Sequence, residues 1–197
     1  MNFLAHLTLS NNDDDILIGN FIADSTRSAE YHRYKTQVVY GIKLHLKIDA
    51  FTDNHTVVER SKKRLRPRHG KYAGVVVDIF YDHYLARYYD EFGEYPLESF
   101  AQRCYRLFEE RVSELSRGAR RILPYMKRGN WLVNYAHESG MRKVFTGMSH
   151  RASFNNHMHT AVDDLLLHYE QFEAEFREFY PQLEKYVRAE INRLPYP

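Results

Sequence analysis

One cysteine in 197 residues, Cys104, excludes an internal disulfide. It falls in a helical apolar pattern with Phe100, Tyr105 and Phe108, so it reads as a small buried hydrophobe and not as a nucleophile. No run approaches the roughly 18 apolar residues that a membrane span requires. No cationic segment followed by an apolar one opens the chain as in an export leader, so a cytoplasmic protein without a membrane partner is expected. Excess charge is missing too: 28 Lys and Arg against 26 Asp and Glu leave a formal charge of +2, and no nucleic-acid partner is expected. Cys-x-x-Cys pairs, phosphate-cradling glycine loops and nucleophile elbows are absent, which removes the commonest alternatives to acid, histidine and metal chemistry.

Strand-type alternation bounded by turn pairs is nearly absent, while helical periodicity runs through the chain. The expected fold is all-α: a single-domain multi-helix bundle over residues 1–197, since no Pro/Gly/Ser-rich linker or composition break divides it. Helices are expected at about 2–9, 13–24, 35–52, 55–65, 72–92, 97–116, 119–137, 140–149, 157–179 and 182–193. Pro67 and Gly70, Gly93 and Pro96, and Pro181 mark boundaries. The 72–92 helix is apolar on nearly every side, with Val76, Phe80 and Tyr84 opposite its acidic face, and is expected at the centre.

Two windows carry acids and histidine among apolar neighbours: Gly41 to Asp53 and Val75 to Leu85. Burying a carboxylate costs several kcal/mol, on the order of the effective penalty per ion in proteins, unless a cation or donors compensate it. At about 100° per residue, His45, Asp49 and Asp53 share a side with Val38 and Ile42, and Asp78 and Asp82 share one with Val75, Leu85 and Tyr89. Two such helices face to face would converge oxygens and imidazole on a divalent cation, with manganese, iron or zinc favoured over calcium once imidazole is in the set. Asp24, His45, Asp78 and Asp82 are the candidate ligands. Asp49, His83 and His6 are candidates for orienting water and moving protons, and Asp49 and His83 are alternatively further ligands. Because Asp82 and His83 point about 100° apart, only an ion between their faces meets both.

Arg27 and Lys47 are candidate phosphate contacts, although Lys43, Lys47 and Arg87 could instead pair with the acids. Arg60, Lys62, Lys63, Arg64, Arg66 and Arg68 form a basic stretch that reads either as a solvated face or as a surface for an acidic partner.

The segments Met1-Asn2-Phe3-Leu4-Ala5-His6-Leu7, Gly19-Asn20 with Ala23-Asp24, Gly41-Ile42 with His45, Asp49 and Thr52-Asp53-Asn54, Asp78 with Asp82-His83, Trp131-Leu132-Val133 and Gly147-Met148 together resemble the acyl carrier protein phosphodiesterase family. That family is akin to HD-domain metal-dependent phosphohydrolases, and the resemblance covers most of the chain. It implies hydrolysis of the phosphodiester joining 4'-phosphopantetheine to a serine of holo-acyl carrier protein, with Mn2+ as the expected ion and Mg2+ or Fe2+ as alternatives. The chain departs from the family pattern at Lys43 and Leu46, near His45, and at Tyr89, where tryptophan is usual. The basic 60–71 stretch would then steer the acidic carrier. An HD-type phosphohydrolase acting on a nucleotide and a non-enzymatic helical binding protein are the other readings.

Overall fold

A computed structural model describes residues 1–152 and 156–193. Among them the regular elements are all helical: α1 (Phe3–Thr8), α2 (Asp14–Ile22), α3 (Thr36–Asn54), α4 (Thr56–His69), α5 (Ala73–Arg87), α6 (Tyr89–Phe92), α7 (Leu97–Glu110), α8 (Arg117–Arg128), α9 (Trp131–Asn134), α10 (Glu138–Arg151), α11 (Ala161–Leu167) and α12 (Tyr169–Asn192), joined by short 3-10 turns. Polar caps start several of them. Asp13 accepts from the backbone N–H groups of Asp15 and Ile16 to open α2, and Ser116 accepts from Ala119 to open α8.

The central position of α5 follows from its sequence. Val76, Val77, Ile79, Phe80, Tyr81, Tyr84 and Leu85 are all buried, so neighbours cover it on every side. Helix α12 packs along it through aromatic pairs: Phe80 with Phe172 at 5.1 Å, Tyr81 with Phe179 at 5.5 Å and Tyr84 with Phe176 at 5.9 Å between ring centroids. One continuous hydrophobic core reaches from Met1 to Ile191.

Several boundaries differ from expectation: the helices expected over 72–92, 97–116 and 119–137 break at Arg87, Glu110 and Arg128, and two further differences fall at Pro181 and His168. Pro181 does not end a helix: α12 runs through it to Asn192. A proline inside a helix costs about 3 kcal/mol, and burial of Leu183, Val187 and Ile191 beyond it offsets that penalty. The helix expected over 157–179 is instead two, α11 and α12, because His168 leaves helical geometry at φ −124° and ψ 32°.

Candidate functional site

The site begins with a close crossing of α2 and α3. A Cβ on Gly19 would lie 2.1 Å from the Val38 carbonyl oxygen, and one on Gly41 would lie 2.2 Å from that of Ile16, so the two backbones touch where both residues lack side chains. The crossing brings the Asn20 carbonyl oxygen 3.1 Å from Nδ1 of His45. With Nδ1–H donating there, Nε2 of His45 is turned toward carboxylates: Asp24 Oδ1 and Asp49 Oδ2, each at 3.2 Å.

A second device delivers His6. Helix α1 has six residues, too few to hold itself together in isolation. Asp82, fully buried on α5, accepts from the backbone N–H groups of Asn2 (3.2 Å), Leu4 (2.7 Å) and Ala5 (3.4 Å), so it caps the start of α1. Burial pushes its carboxyl up to about 7, against those donors and the nearby α-amino group, which favour the anion. The Met1 α-ammonium lies 2.9 Å from Asp78 Oδ1 and 3.9 Å from Asp49 Oδ1. The space between α3 and α5, where the sequence suggested a cation, thus holds the chain's own amino group and the first turn of α1.

What converges is a compact group between α1 and α3. His6 stacks on His45 with ring centroids 3.8 Å apart and planes 13° apart. Ligand atoms of His6, His45 and Asp49 all lie within 4.8 Å of one another. His6 Nε2 is 3.1 Å from Asp49 Oδ1, but the approach is off the hydrogen-bond axis, and both buried ring nitrogens of His6 lack a hydrogen-bond partner. Electrostatics separate the two rings. Burial pushes His6 down to about 4, so it is neutral near pH 7. Burial also opposes charge on His45, yet Asp24 and Asp49 overcome it and raise that imidazole to about 9. Asp49 is held well below the usual carboxylate range, since His45 and His6 outweigh its own burial, and the His45 hydrogen bond lowers Asp24 as well.

This donor set fits a divalent cation. A buried neutral imidazole with no hydrogen bond, a second imidazole oriented by a backbone carbonyl, and an ionised carboxylate between them form the nitrogen and oxygen set, with outer-shell support, that such ions use. Asp24, whose side chain is mostly exposed, completes the group from the solvent side.

The remaining candidates lie elsewhere. His83 turns away: Nδ1 is 2.8 Å from the Tyr135 carbonyl oxygen and Nε2 is 2.9 Å from the Tyr169 hydroxyl, and burial lowers its pKa. Arg27 is exposed beside Glu30, on a groove that also borders Asp24. Lys47 pairs with Glu190. In the basic stretch, Arg60 pairs with Glu178, Lys62 with Asp53 (2.6 Å), Arg66 with Glu59 and Arg68 with Asp164 (3.0 Å). Arg64 makes two bonds, 2.8 and 2.9 Å, to the buried carboxylate of Glu175. Lys63 makes no ion pair with a described residue. The stretch therefore serves mainly to fasten α4 to α3, α11 and α12. Two participants escaped sequence reasoning, the Asn20 carbonyl and the Met1 amine, because backbone groups leave no trace in a pattern of side chains.

A cavity of about 370 Å3 opens beside the group. Asp24, Asp78, Met1 and Asn2 bound its polar end, and Ile122, Trp131, Val144 and Met148 supply apolar wall. Among the described residues no helix is long and apolar enough to cross a membrane.

Comparison with known proteins gives a consistent result. The family profile described as "Acyl carrier protein phosphodiesterase" matches residues 1–183. A protein of that name from Photorhabdus laumondii is 30% identical over 99% of this chain and 100% of its own length. One from Enterobacter sp. (strain 638) is 32% identical over 93% of this chain and 95% of its own length, and one from Escherichia coli O6:H1 is 31% identical over the same shares. No solved structure matches the chain significantly.

Proposed function

Because the chain belongs to the acyl carrier protein phosphodiesterase family, we propose that it hydrolyses the phosphodiester between 4'-phosphopantetheine and a carrier-protein serine, releasing apo-carrier and 4'-phosphopantetheine. A divalent cation, manganese first, is held by His6, His45 and Asp49 with Asp24 beside them. The observation that carries this reading is the buried His6, whose two ring nitrogens lack hydrogen bonds while Nε2 faces the ionised Asp49. A core would satisfy or exclude such a group.

When bound, the ion supplies Lewis-acid polarisation of the phosphoryl oxygens and a water acidified toward neutrality. The chain's own contribution is positional. The Asn20 carbonyl fixes the His45 ring, the stacking of His6 on His45 keeps both imidazoles together, and Asp82 holds α1 so that His6 reaches Asp49. In the reaction a water oxygen bonds to phosphorus as the bond from phosphorus to the serine oxygen breaks, and that oxygen leaves with a proton. The apolar wall of the cavity suits the pantetheine arm, and the phosphate would lie at the polar end beside Asp24, where a bound cation would offset the carboxylate charge.

Incubation of manganese-loaded protein with holo-carrier, read by intact mass, is expected to show loss of the phosphopantetheine moiety. His45→Ala and Asp49→Asn are expected to lose bound manganese by elemental analysis and about 100-fold or more in turnover. An unchanged carrier mass would overturn the activity, as would turnover of nucleotides with the carrier untouched. Full turnover after exhaustive chelation would overturn the metal dependence.

A further inference from the structure

Helix α8 carries Arg117, Arg120, Arg121, Lys127 and Arg128 with no acid at all. Its own stability argues against that composition. Arg117, Arg120 and Arg121 are neighbours at three- and four-residue spacing, where like charges repel by a few tenths of a kcal/mol per pair. Arg117 and Arg120 also occupy the first turn, where the helix dipole disfavours cations. On α4, by contrast, five of the six Lys and Arg side chains, all but Lys63, are neutralised internally. On α8 only Lys127 is, by Glu109. The four arginines are exposed and make no ion pair with a described residue, and exposed Lys143 on α10 makes none either.

These cations surround the approach to the site. Lys143 lines the cavity beside the imidazole cluster together with Ile122, Trp131 and Asp24. Arg121 lines a shallower groove that continues from it past Trp131 and the exposed Tyr125. Arg117 and Arg120 line a third depression that meets Asp24 from the other side. An unneutralised basic rim, an exposed aromatic ring and an apolar slot ending at carboxylates therefore share one face.

We propose that this face of α8 and α10 is the docking surface for an acidic carrier protein, which lays its acidic surface on Arg117, Arg120, Arg121 and Lys143 while its phosphodiester-linked arm enters the slot between Ile122 and Trp131. The proposal rests on the hydrolytic reading above for the identity of the partner, and it moves the electrostatic contact away from α4. Charge complementarity of this kind acts on encounter and orientation and is screened over about 8 Å at physiological salt.

The test measures binding and turnover separately. Affinity for apo-carrier protein, which needs no hydrolysis, is read by fluorescence anisotropy, and manganese-dependent turnover is read on holo-carrier and on bis(p-nitrophenyl) phosphate. Arg120→Glu/Arg121→Glu is expected to weaken carrier binding and raise KM for holo-carrier about tenfold or more, with turnover of the small phosphodiester within about twofold of wild type. Arg120→Gln/Arg121→Gln should fall between, and Lys63→Glu on α4 should change binding less than twofold. An unchanged Kd in both α8 variants, a loss from Lys63→Glu as large as theirs, or equal loss on both substrates would each overturn the proposal. If wild-type protein binds apo-carrier through α8 but leaves holo-carrier intact, the hydrolytic reading fails while the docking surface stands. Turnover with α8-independent binding is the reverse.

Discussion

At the scale of single residues, burial decides which polar groups are free to do chemistry. His83 and His6 are both buried imidazoles, yet one has both nitrogens bonded and the other has neither. The sequence made both candidates, His83 beside Asp82 and His6 on the short first helix, but it carries no information on which carbonyl or hydroxyl will meet a ring. Cys104 is the opposite case, legible from its neighbours alone: it is fully buried, and burial pushes its thiol up to about 12. Cys104→Ser is therefore expected to retain turnover per folded molecule and to lose about 1–3 kcal/mol in urea denaturation, the cost of a buried hydroxyl without a partner. Hydrolysis in oxygen-18 water should place label in the released phosphopantetheine. Abolished turnover in a folded Cys104→Ser protein, or label in the carrier serine, would contradict this account.

At the scale of elements, the helices were largely visible in the periodicity, and their ends were not. Apolar spacing marked α3 within two residues at each end and the starts of α5 and α7, but those two end at Arg87 and Glu110 and not at 92 and 116, and Pro181 misled because local propensity is weaker than the burial of a whole helical face. The Gly19 and Gly41 contact was equally hidden: each glycine sits inside a helix, where it costs stability, and only the crossing of α2 on α3 explains both. Gly41→Ala should therefore cost about 3 kcal/mol, near the upper end for overpacking, and should also lower turnover, since separating α2 from α3 moves Asn20 and Asp24 away from His45. Chemical denaturation together with manganese binding measures both effects. A stable Gly41→Ala protein with wild-type metal affinity would show that the crossing does not position the imidazole.

At the scale of the whole molecule, the basic run between residues 60 and 68 is plain in the sequence, whereas its partners Glu175, Glu178 and Asp164 lie about a hundred residues away. No local pattern distinguishes a charge aimed at solvent from one aimed at a distant carboxylate. Arg64 is the clearest instance: it holds α4 against α12 through Glu175, which Ser61 also contacts. Arg64→Ala should cost about 2–3 kcal/mol by leaving that carboxylate short of donors, while Lys63→Ala, one residue earlier and exposed, should stay within about 0.5 kcal/mol. Thermal unfolding of the two variants side by side tests this, and equal Tm values would contradict it.

The capping of α1 by Asp82 changes how a mutational scan of this protein should be read. Asp82 contributes no atom to the imidazole cluster, but three backbone amides of the segment that carries His6 depend on it. Replacing it would release a six-residue helix and withdraw His6 together with the Met1 amine, across 76 and 81 positions of chain. A screen scored on turnover would rank Asp82 beside His45 and Asp49, and it would pass for a ligand of the proposed cation. The distinction lies in non-additivity: once His6 has been removed, losing Asp82 should do little further harm to the chemistry, whereas a true ligand would still be missed.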